Sequence, residues 1–293
     1  MNINNCPVCS STNFKAGLTC KDYTVSKEDF KIVTCNDCSF KFTNPRPDNE
    51  VLGNYYKSED YISHSNTKKG IISQVYHAVR NFTLKKKIQL VSKHVSRGTM
   101  LDYGCGTGMF LKVCQDNGWK AFGVEPDDGA RKIGTEMGLT VFADKTKLNE
   151  YINSQKFDAI TLWHVLEHVT DLDDTLNFFK ARLNERGVLI IAVPNHTSFD
   201  ALHYKEFWAA YDVPRHLYHF HPKTIDKLLG RFDFKLMEML PMKFDSFYVS
   251  MLSEKYKTGS IKYLSAFIKG LRSNLKAKNA GEYSSVIYVF KKK

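Results

Sequence analysis

The chain has 293 residues, 43% of them apolar, and a net charge of +11. That leaves room for one medium domain with a sizeable core plus a smaller unit, and it excludes a low-complexity or disordered chain. No apolar run approaches the roughly 20 residues that cross a bilayer, and the start Met1-Asn2-Ile3-Asn4-Asn5 shows no signal peptide, so a cytoplasmic, reducing setting is expected for the seven cysteines.

The first predicted unit is residues 1–48. It carries Cys6-Pro7-Val8-Cys9 and Cys35-Asn36-Asp37-Cys38, and it leaves through Asn44-Pro45-Arg46-Pro47, a boundary signal. Two Cys-x-x-Cys pairs, 25 residues apart, aim four thiolates at one point. Zn²⁺ suits such a set, and its binding could contribute on the order of 10 kcal/mol to folding so short a unit. A thioredoxin-like role is disfavoured, because neither pair opens a helix in a βαβ unit. Residues 49–97 read as a helical linker. Its polar start passes into a stripe of Ile72, Val75, Val79, Phe82, Ile88, Val91 and Val95.

Strand-like runs then alternate with helical segments. The strands fall at 99–103, 119–125, 139–143, 157–163 and 187–193, with helices at about 108–117, 127–137, 146–155 and 171–184. Such alternation predicts a parallel sheet covered on both faces. An irregular segment rich in His and aromatic residues follows to about 221. A helix (222–231), a strand (235–240), a long helical stretch (244–279) and a last strand (284–290) complete the chain.

The most informative phrase is Met100-Leu101-Asp102-Tyr103-Gly104-Cys105-Gly106-Thr107-Gly108, followed by Gly123-Val124-Glu125-Pro126. It reads as a strand ending in an acid, a glycine-rich turn, a helix, and a second strand ending in an acid. Glycines there let the backbone approach a ligand, and Glu125 can accept from two ribose hydroxyls. The spacing is Gly-x-Gly-x-Gly, and an acid precedes it, which suits an ammonium better than a pyrophosphate. This unit resembles motif I of the class I S-adenosylmethionine-dependent methyltransferases. The resemblance implies a Rossmann-like α/β fold with a seven-stranded sheet whose last strand is antiparallel. It implies S-adenosylmethionine as cofactor, with the amino-acid head at Asp102 and Gly104, Gly106 and Gly108, the ribose at Glu125, the adenine at Asp144, and Trp163 beside the cofactor.

Trp163-His164-Val165-Leu166-Glu167-His168 follows the fourth strand of the alternation. His164, Glu167 and His168 spell the inverted zinc-protease pattern, but at the mouth of a cofactor sheet a peptidase is disfavoured. In some small-molecule O-methyltransferases this place carries Glu-x-x-Glu-His and holds a divalent cation; here His164 replaces the first Glu, so metal binding stays open. Asp212-Val213-Pro214-Arg215-His216-Leu217-Tyr218-His219-Phe220-His221 must cross the strand C-termini, where ligands bind. It is similar to a segment of the sugar-nucleotide C-methyltransferases, which also carry an N-terminal Cys-x-x-Cys zinc unit and have Glu-His where this chain has Arg215-His216. That resemblance implies His216 as the base, with His168 as second choice. Arg215 is expected to pair with an anionic group of the acceptor.

Residues 255–293 hold ten Lys or Arg and one acid, Glu282. Ile261, Leu264, Ile268, Leu271 and Leu275 form an apolar stripe beside Lys262, Lys269, Arg272 and Lys276. This basic amphipathic helix is expected to pack on its own domain; the other reading is a peripheral membrane contact through 260–278. The expected organisation is a zinc ribbon at 1–48, a helical linker at 49–97 and a methyltransferase domain at 98–293 with a helical insertion at about 244–283. The expected reaction is O- or C-methylation of a small-molecule or sugar-type acceptor. An RNA methyltransferase using the ribbon and the basic tail is the first alternative. Nucleic acid is not favoured, because no aromatic and basic interleaving stands out in the ribbon. A non-catalytic cofactor-binding scaffold is the second. The sequence sets no oligomeric state.

Overall fold

Strands that are apolar along their whole length need cover on both faces, and the central strands here meet that condition. The computed structural model describes residues 1–56 and 71–293. The N-terminal elements are β1 (Phe14–Lys21), β2 (Asp29–Cys35), β3 (Lys41–Thr43), the short α1 (Asn49–Leu52) and the long α2 (Ile71–His94). The alternation is β4 (Thr99–Tyr103), α3 (Met109–Asp116), β5 (Lys120–Val124), α4 (Asp128–Glu136), β6 (Thr140–Phe142), α5 (Lys145–Ile152), β7 (Phe157–Trp163), α6 (Leu172–Arg182) and β8 (Leu183–Pro194). Then come α7 (Phe199–Tyr204), two short 3-10 turns, β9 (Tyr218–His219), α8 (Pro222–Gly230), β10 (Phe234–Pro241), α9 (Asp245–Thr258), α10 (Tyr263–Ala280) and β11 (Ser285–Lys292).

Seven strands form one sheet in the order β10-β11-β8-β7-β4-β5-β6. The strands from β8 to β6 pair in parallel, and β11 runs antiparallel to both of its neighbours. This is the Rossmann-like α/β sheet that the alternation predicts. Strand order reverses between β4 and β7, which opens a crevice above their C-terminal ends. Asp127, Asp144, Asp171 and Ser198 each start a helix by accepting a backbone N–H three residues on.

One face of the sheet buries Leu101, Ile160, Leu162, Leu189 and Ile191. The other buries Met100, Ala159, Val188 and Ile190 under Leu84, Ile88 and Val91 of α2. The helix expected in a linker is therefore part of the sheet's cover. The rest of that linker at 57–70 lies outside the described residues, as do the side chains of Ile72 and Val75. Phe82, read as part of the buried stripe, is 50% exposed and meets the ring of Phe244.

The N-terminal unit is not free-standing either. Its strands continue into the domain as a four-stranded sheet, β1-β2-β3-β9, in which Lys41 pairs with His219 and Phe42 with Tyr218. The segment expected to be irregular thus supplies a strand. The long stretch at 244–279 is broken into two helices at Gly259, which closes α9 in the left-handed conformation at φ 78°. Among the described residues no helix is long and apolar enough to cross a membrane.

Ile88 is 7% exposed and lies between α2 and the sheet. Ile88→Ala should cost about 2–5 kcal/mol through lost burial and a residual cavity, read as a lower midpoint in urea unfolding at an unchanged slope.

Candidate functional site

Asp102 ends β4 with 2% exposure and accepts a hydrogen bond from Thr161 Oγ1 at 2.6 Å. Burial pushes its carboxyl up to about 6, against the pull of Thr161 and the nearby Lys87 ammonium. The glycines that follow have separate tasks. A Cβ on Gly104, at φ 74°, would strike Val165, so this position serves close packing. Gly106, at φ 55°, has nothing within 4 Å of the place a Cβ would occupy, so it is the open floor of the loop. Gly108 starts α3 and abuts Leu139.

Glu125, at the tip of β5, faces that floor. Gly106 N–H donates to its Oε2 at 2.8 Å and Asp127 N–H to its Oε1 at 3.0 Å. Each carboxylate oxygen keeps acceptor capacity for a further donor. Asp144 stands exposed beyond β6 and caps α5 through Lys147 N–H at 2.9 Å. Trp163 ends β7 with Lys87 Nζ 4.2 Å from its ring centroid and Phe110 edge-on at 5.6 Å. Burial pulls the Lys87 ammonium down to about 8. Sequence reasoning missed Thr161 and Lys87. Thr161 is hidden in an apolar strand, and Lys87 is one of three consecutive lysines on α2.

A second group sits at the rim beyond β7. His164, at φ 58°, places Nε2 3.0 Å from Asp245 Oδ2 and Nδ1 3.4 Å from Glu167 Oε1. Burial alone would depress its pKa, but the two carboxylates outweigh that and push it up to about 10. His164 is therefore an imidazolium clamp that ties α9 to the site. Glu167 is 1% exposed, and among the described residues neither carboxylate oxygen has a well-formed hydrogen bond. His216 Nε2 lies 4.0 Å from Glu167 Oε1 and 3.9 Å from Asp212 Oδ2. The His168 and His216 rings meet edge-on at 4.5 Å.

Both rings are oriented from behind. His216 Nδ1 is 2.9 Å from Ala210 O, and His168 Nδ1 is 3.1 Å from Arg215 O. A carbonyl only accepts, so His216 Nδ1 carries a proton and leaves Nε2 to face Glu167 and Asp212, whereas His168 Nδ1 also meets the Tyr56 hydroxyl at 3.0 Å. One ligand atom from each of Glu167, His168 and His216 falls within 4.8 Å of the others. The structure thus brings together residues nearly fifty positions apart, which spacing in the sequence could not show. Burial, then the neighbouring His216, holds His168 down at about 4.

Arg215 lies elsewhere than the sequence reading put it. It is 2% exposed, and each of its three guanidinium nitrogens is engaged. Nε and Nη2 grip Asp212 at 2.9 and 2.6 Å, Nη1 donates to Tyr55 O at 2.9 Å, and Nη2 also reaches Thr24 Oγ1 and Asp22 Oδ1. Buried and gripped at all three nitrogens by the protein's own groups, it is not presented to an acceptor molecule as the sequence reading expected. Thr43 adds to this anchorage: its Oγ1 donates to His216 O at 2.9 Å and its N–H to Leu217 O at 3.0 Å. The N-terminal unit therefore holds the backbone at His216 and Leu217.

That unit is organised by its cysteines. Cys6 Sγ is 3.5 Å from Cys38 Sγ, Cys9 Sγ is 3.6 Å from Cys35 Sγ, and all four sulfurs converge within 4.8 Å. Each pair sits in the same tight turn, with Ser10 N–H on Cys6 O and Ser39 N–H on Cys35 O. A tetrahedral ion with ~2.3 Å bonds to sulfur requires sulfurs ~3.8 Å apart, so the donor set fits zinc.

Residues 76–239 match the family model described as a methyltransferase domain. The chain belongs to that family. It is 35% identical over 108 residues to a ubiquinone biosynthesis O-methyltransferase of Actinobacillus pleuropneumoniae serotype 7, covering 33% of this chain and 46% of that protein. The chain thus spans about half the length of the curated relatives it matches. Magnesium protoporphyrin IX methyltransferase from Synechocystis PCC 6803, solved with bound SAM, aligns with a TM-score of 0.52 at 13% identity, over 86% of this chain and 100% of that one. The O-methyltransferase of a trans-AT PKS multienzyme from Brevibacillus brevis, in complex with S-adenosyl-L-homocysteine, aligns with a TM-score of 0.51 at 14% identity, over 75% of each chain. At these identities the likeness is one of fold, the class I methyltransferase fold.

Because the cysteine unit anchors the segment 212–221, chelation should loosen that segment. Amide hydrogen exchange should rise across 212–221 on treatment with a strong zinc chelator, while the loop 104–108 keeps its protection. Unchanged exchange at 212–221 would show that the anchorage does not depend on the four thiolates.

Proposed function

We propose that the chain transfers a methyl group from S-adenosylmethionine to a hydroxyl of a small molecule. The observation that carries this is the open floor at Gly106, with its N–H on Glu125 and the buried Asp102 beside it. Asp102 suits the ammonium of the amino-acid head, Glu125 the ribose hydroxyls, and Asp144 and Trp163 flank the same crevice. The O-methyltransferase activity of the ubiquinone-biosynthesis relatives favours oxygen as the methylated atom. A sugar-type acceptor rests on the sequence resemblance alone. The RNA reading loses ground, because the N-terminal unit is engaged in holding the rim segment.

Bound S-adenosylmethionine supplies a methyl on a cationic sulfur, an electrophile that needs in-line placement more than activation. His216 Nε2 would take the hydroxyl proton as the oxygen–methyl bond forms and the sulfur–methyl bond breaks. Glu167 and Asp212, both within 4.0 Å of that nitrogen, favour the imidazolium that results. Held near 4, His168 is the poorer proton acceptor. We also propose a structural Zn²⁺ at Cys6, Cys9, Cys35 and Cys38. The convergence of Glu167, His168 and His216 favours one second reading, in which these three hold a divalent cation that binds the acceptor hydroxyl.

Methyl transfer from labelled S-adenosylmethionine to hydroxyl-bearing small molecules tests the reading. On an acceptor so identified, His216→Ala should lower turnover about 10²–10⁴-fold with cofactor affinity unchanged. Near-parental turnover in that variant would remove His216 from the chemistry. Elemental analysis separates the two readings of the cluster. A single zinc per chain supports His216 as base, whereas a second metal that disappears in Glu167→Gln makes it a ligand.

Cofactor affinity should also depend on pH through Asp102. Its carboxyl titrates at about 6 in the free site, and a bound ammonium favours the ionised form. Affinity for S-adenosylhomocysteine is then full above 6 and falls up to about tenfold per pH unit below it. Calorimetry should show this fall in the parent and a weak, flat profile in Asp102→Asn.

A further inference from the structure

We infer that the face formed by α10 and the start of α9 docks on an anionic lipid bilayer. The sequence stripe on α10 was expected to pack inward, and the structure turns it outward. The face that packs is made of small residues, Ala266, Gly270, Ser273 and Ala277, all buried. Gly270 lies so close to Phe247 of α9 that a Cβ there would come within 3.0 Å of its Cα. Small residues win the contact because they let the two helices approach, which leaves the large apolar side chains on the opposite side.

Leu264 is 74% exposed, Leu275 61%, Phe267 57% and Ile268 45%. Phe244, just before α9, and its ring partner Phe82 on α2 extend the patch at 43% and 50% exposure. A soluble surface seldom leaves so many large apolar groups together without a partner for them. Seven Lys or Arg and no acid occupy residues 255–281. Apolar groups on a helix whose sequence carries these cations, with Arg272 and Lys276 to one side over Phe199, match the acyl boundary and the phosphates of an anionic leaflet.

The same observations decide against other occupants. The two most exposed of these groups, Leu264 and Leu275, are aliphatic and do not stack on bases, which disfavours RNA. A second copy of this face would bring seven like charges against seven, which disfavours self-pairing. The docking inference does not depend on the proposed reaction. Asp245, the first residue of α9, bonds His164, so a bilayer bound here lies beside the rim of the site.

The test is co-sedimentation with vesicles of equal parts phosphatidylglycerol and phosphatidylcholine. The parent should sediment with them, bind phosphatidylcholine alone roughly tenfold or more weakly, and be released by salt. The triple variant Leu264→Asp, Ile268→Asp, Leu275→Asp alters only solvent-facing positions. It should lose vesicle binding by about tenfold or more while keeping the parental melting temperature and S-adenosylhomocysteine affinity. Lys262→Glu with Lys269→Glu should weaken binding to the anionic vesicles. Three results would each overturn the inference: no sedimentation of the parent with anionic vesicles, equal sedimentation of the triple variant, or a parental dimer in sedimentation velocity that the triple variant dissociates. Binding to homopolymer RNA without vesicle binding would assign the face to nucleic acid instead. Failure of cofactor binding in the parent would count against the proposed reaction and leave the vesicle result standing.

Discussion

A guanidinium buried to 2% exposure must have every donor met, and that requirement at Arg215 fixes much of the molecule. Its partners come from three separate stretches: Asp212 beside it, Tyr55 just after α1, and Asp22 with Thr24 inside the N-terminal unit. Asp22 is itself fully buried and accepts the N–H groups of Thr24, Val25 and Ser26. The turn that follows β1 is thus shaped around the charge that pairs with Arg215. Loss of one partner would leave a buried ion uncompensated, at about 3–5 kcal/mol. The four cysteines and this ion cluster act on one unit from opposite ends, and between them the rim segment acquires its position.

The site divides along the same line. The half proposed for the cofactor belongs to the sheet, where Asp102 and Glu125 lie at the ends of adjacent strands and Gly106 spans the gap. The half proposed for the acceptor belongs to loops, held by the clamp of His164 between Asp245 and Glu167 and by the N-terminal unit behind His216. The left-handed backbone at His164 and Asp212 marks this half as the strained one. Strain is sustained there because packing from several elements over-determines it.

The alternation of strands and helices was legible because buried parallel strands are apolar along their length and their helices open on Asp or Ser caps. The glycine phrase was legible because it is contiguous. What could not be read is contact between distant segments. Lys41, Phe42 and Thr43 show no local sign that they pair with 216–219, so the unit at 1–48 read as separate. Arg215 read as an acceptor ligand because sequence carries its charge but not its partners, Asp22 above all. The stripe on α10 misled in the opposite sense: periodicity gives the apolar face of a helix, but not whether that face or the small-residue face meets the domain. His164 read as an open candidate for metal binding, and it is held by Asp245, eighty-one positions away, which no local motif reports.

The central claim is that the two halves face one another across a single crevice. A crystal structure with S-adenosylhomocysteine tests it most directly. The account predicts the ribose hydroxyls on Glu125, the amino group toward Asp102, and the sulfur turned to the space in front of His216 Nε2. A ligand bound elsewhere, or one whose sulfur is walled off from Glu167, His168 and His216, would contradict it.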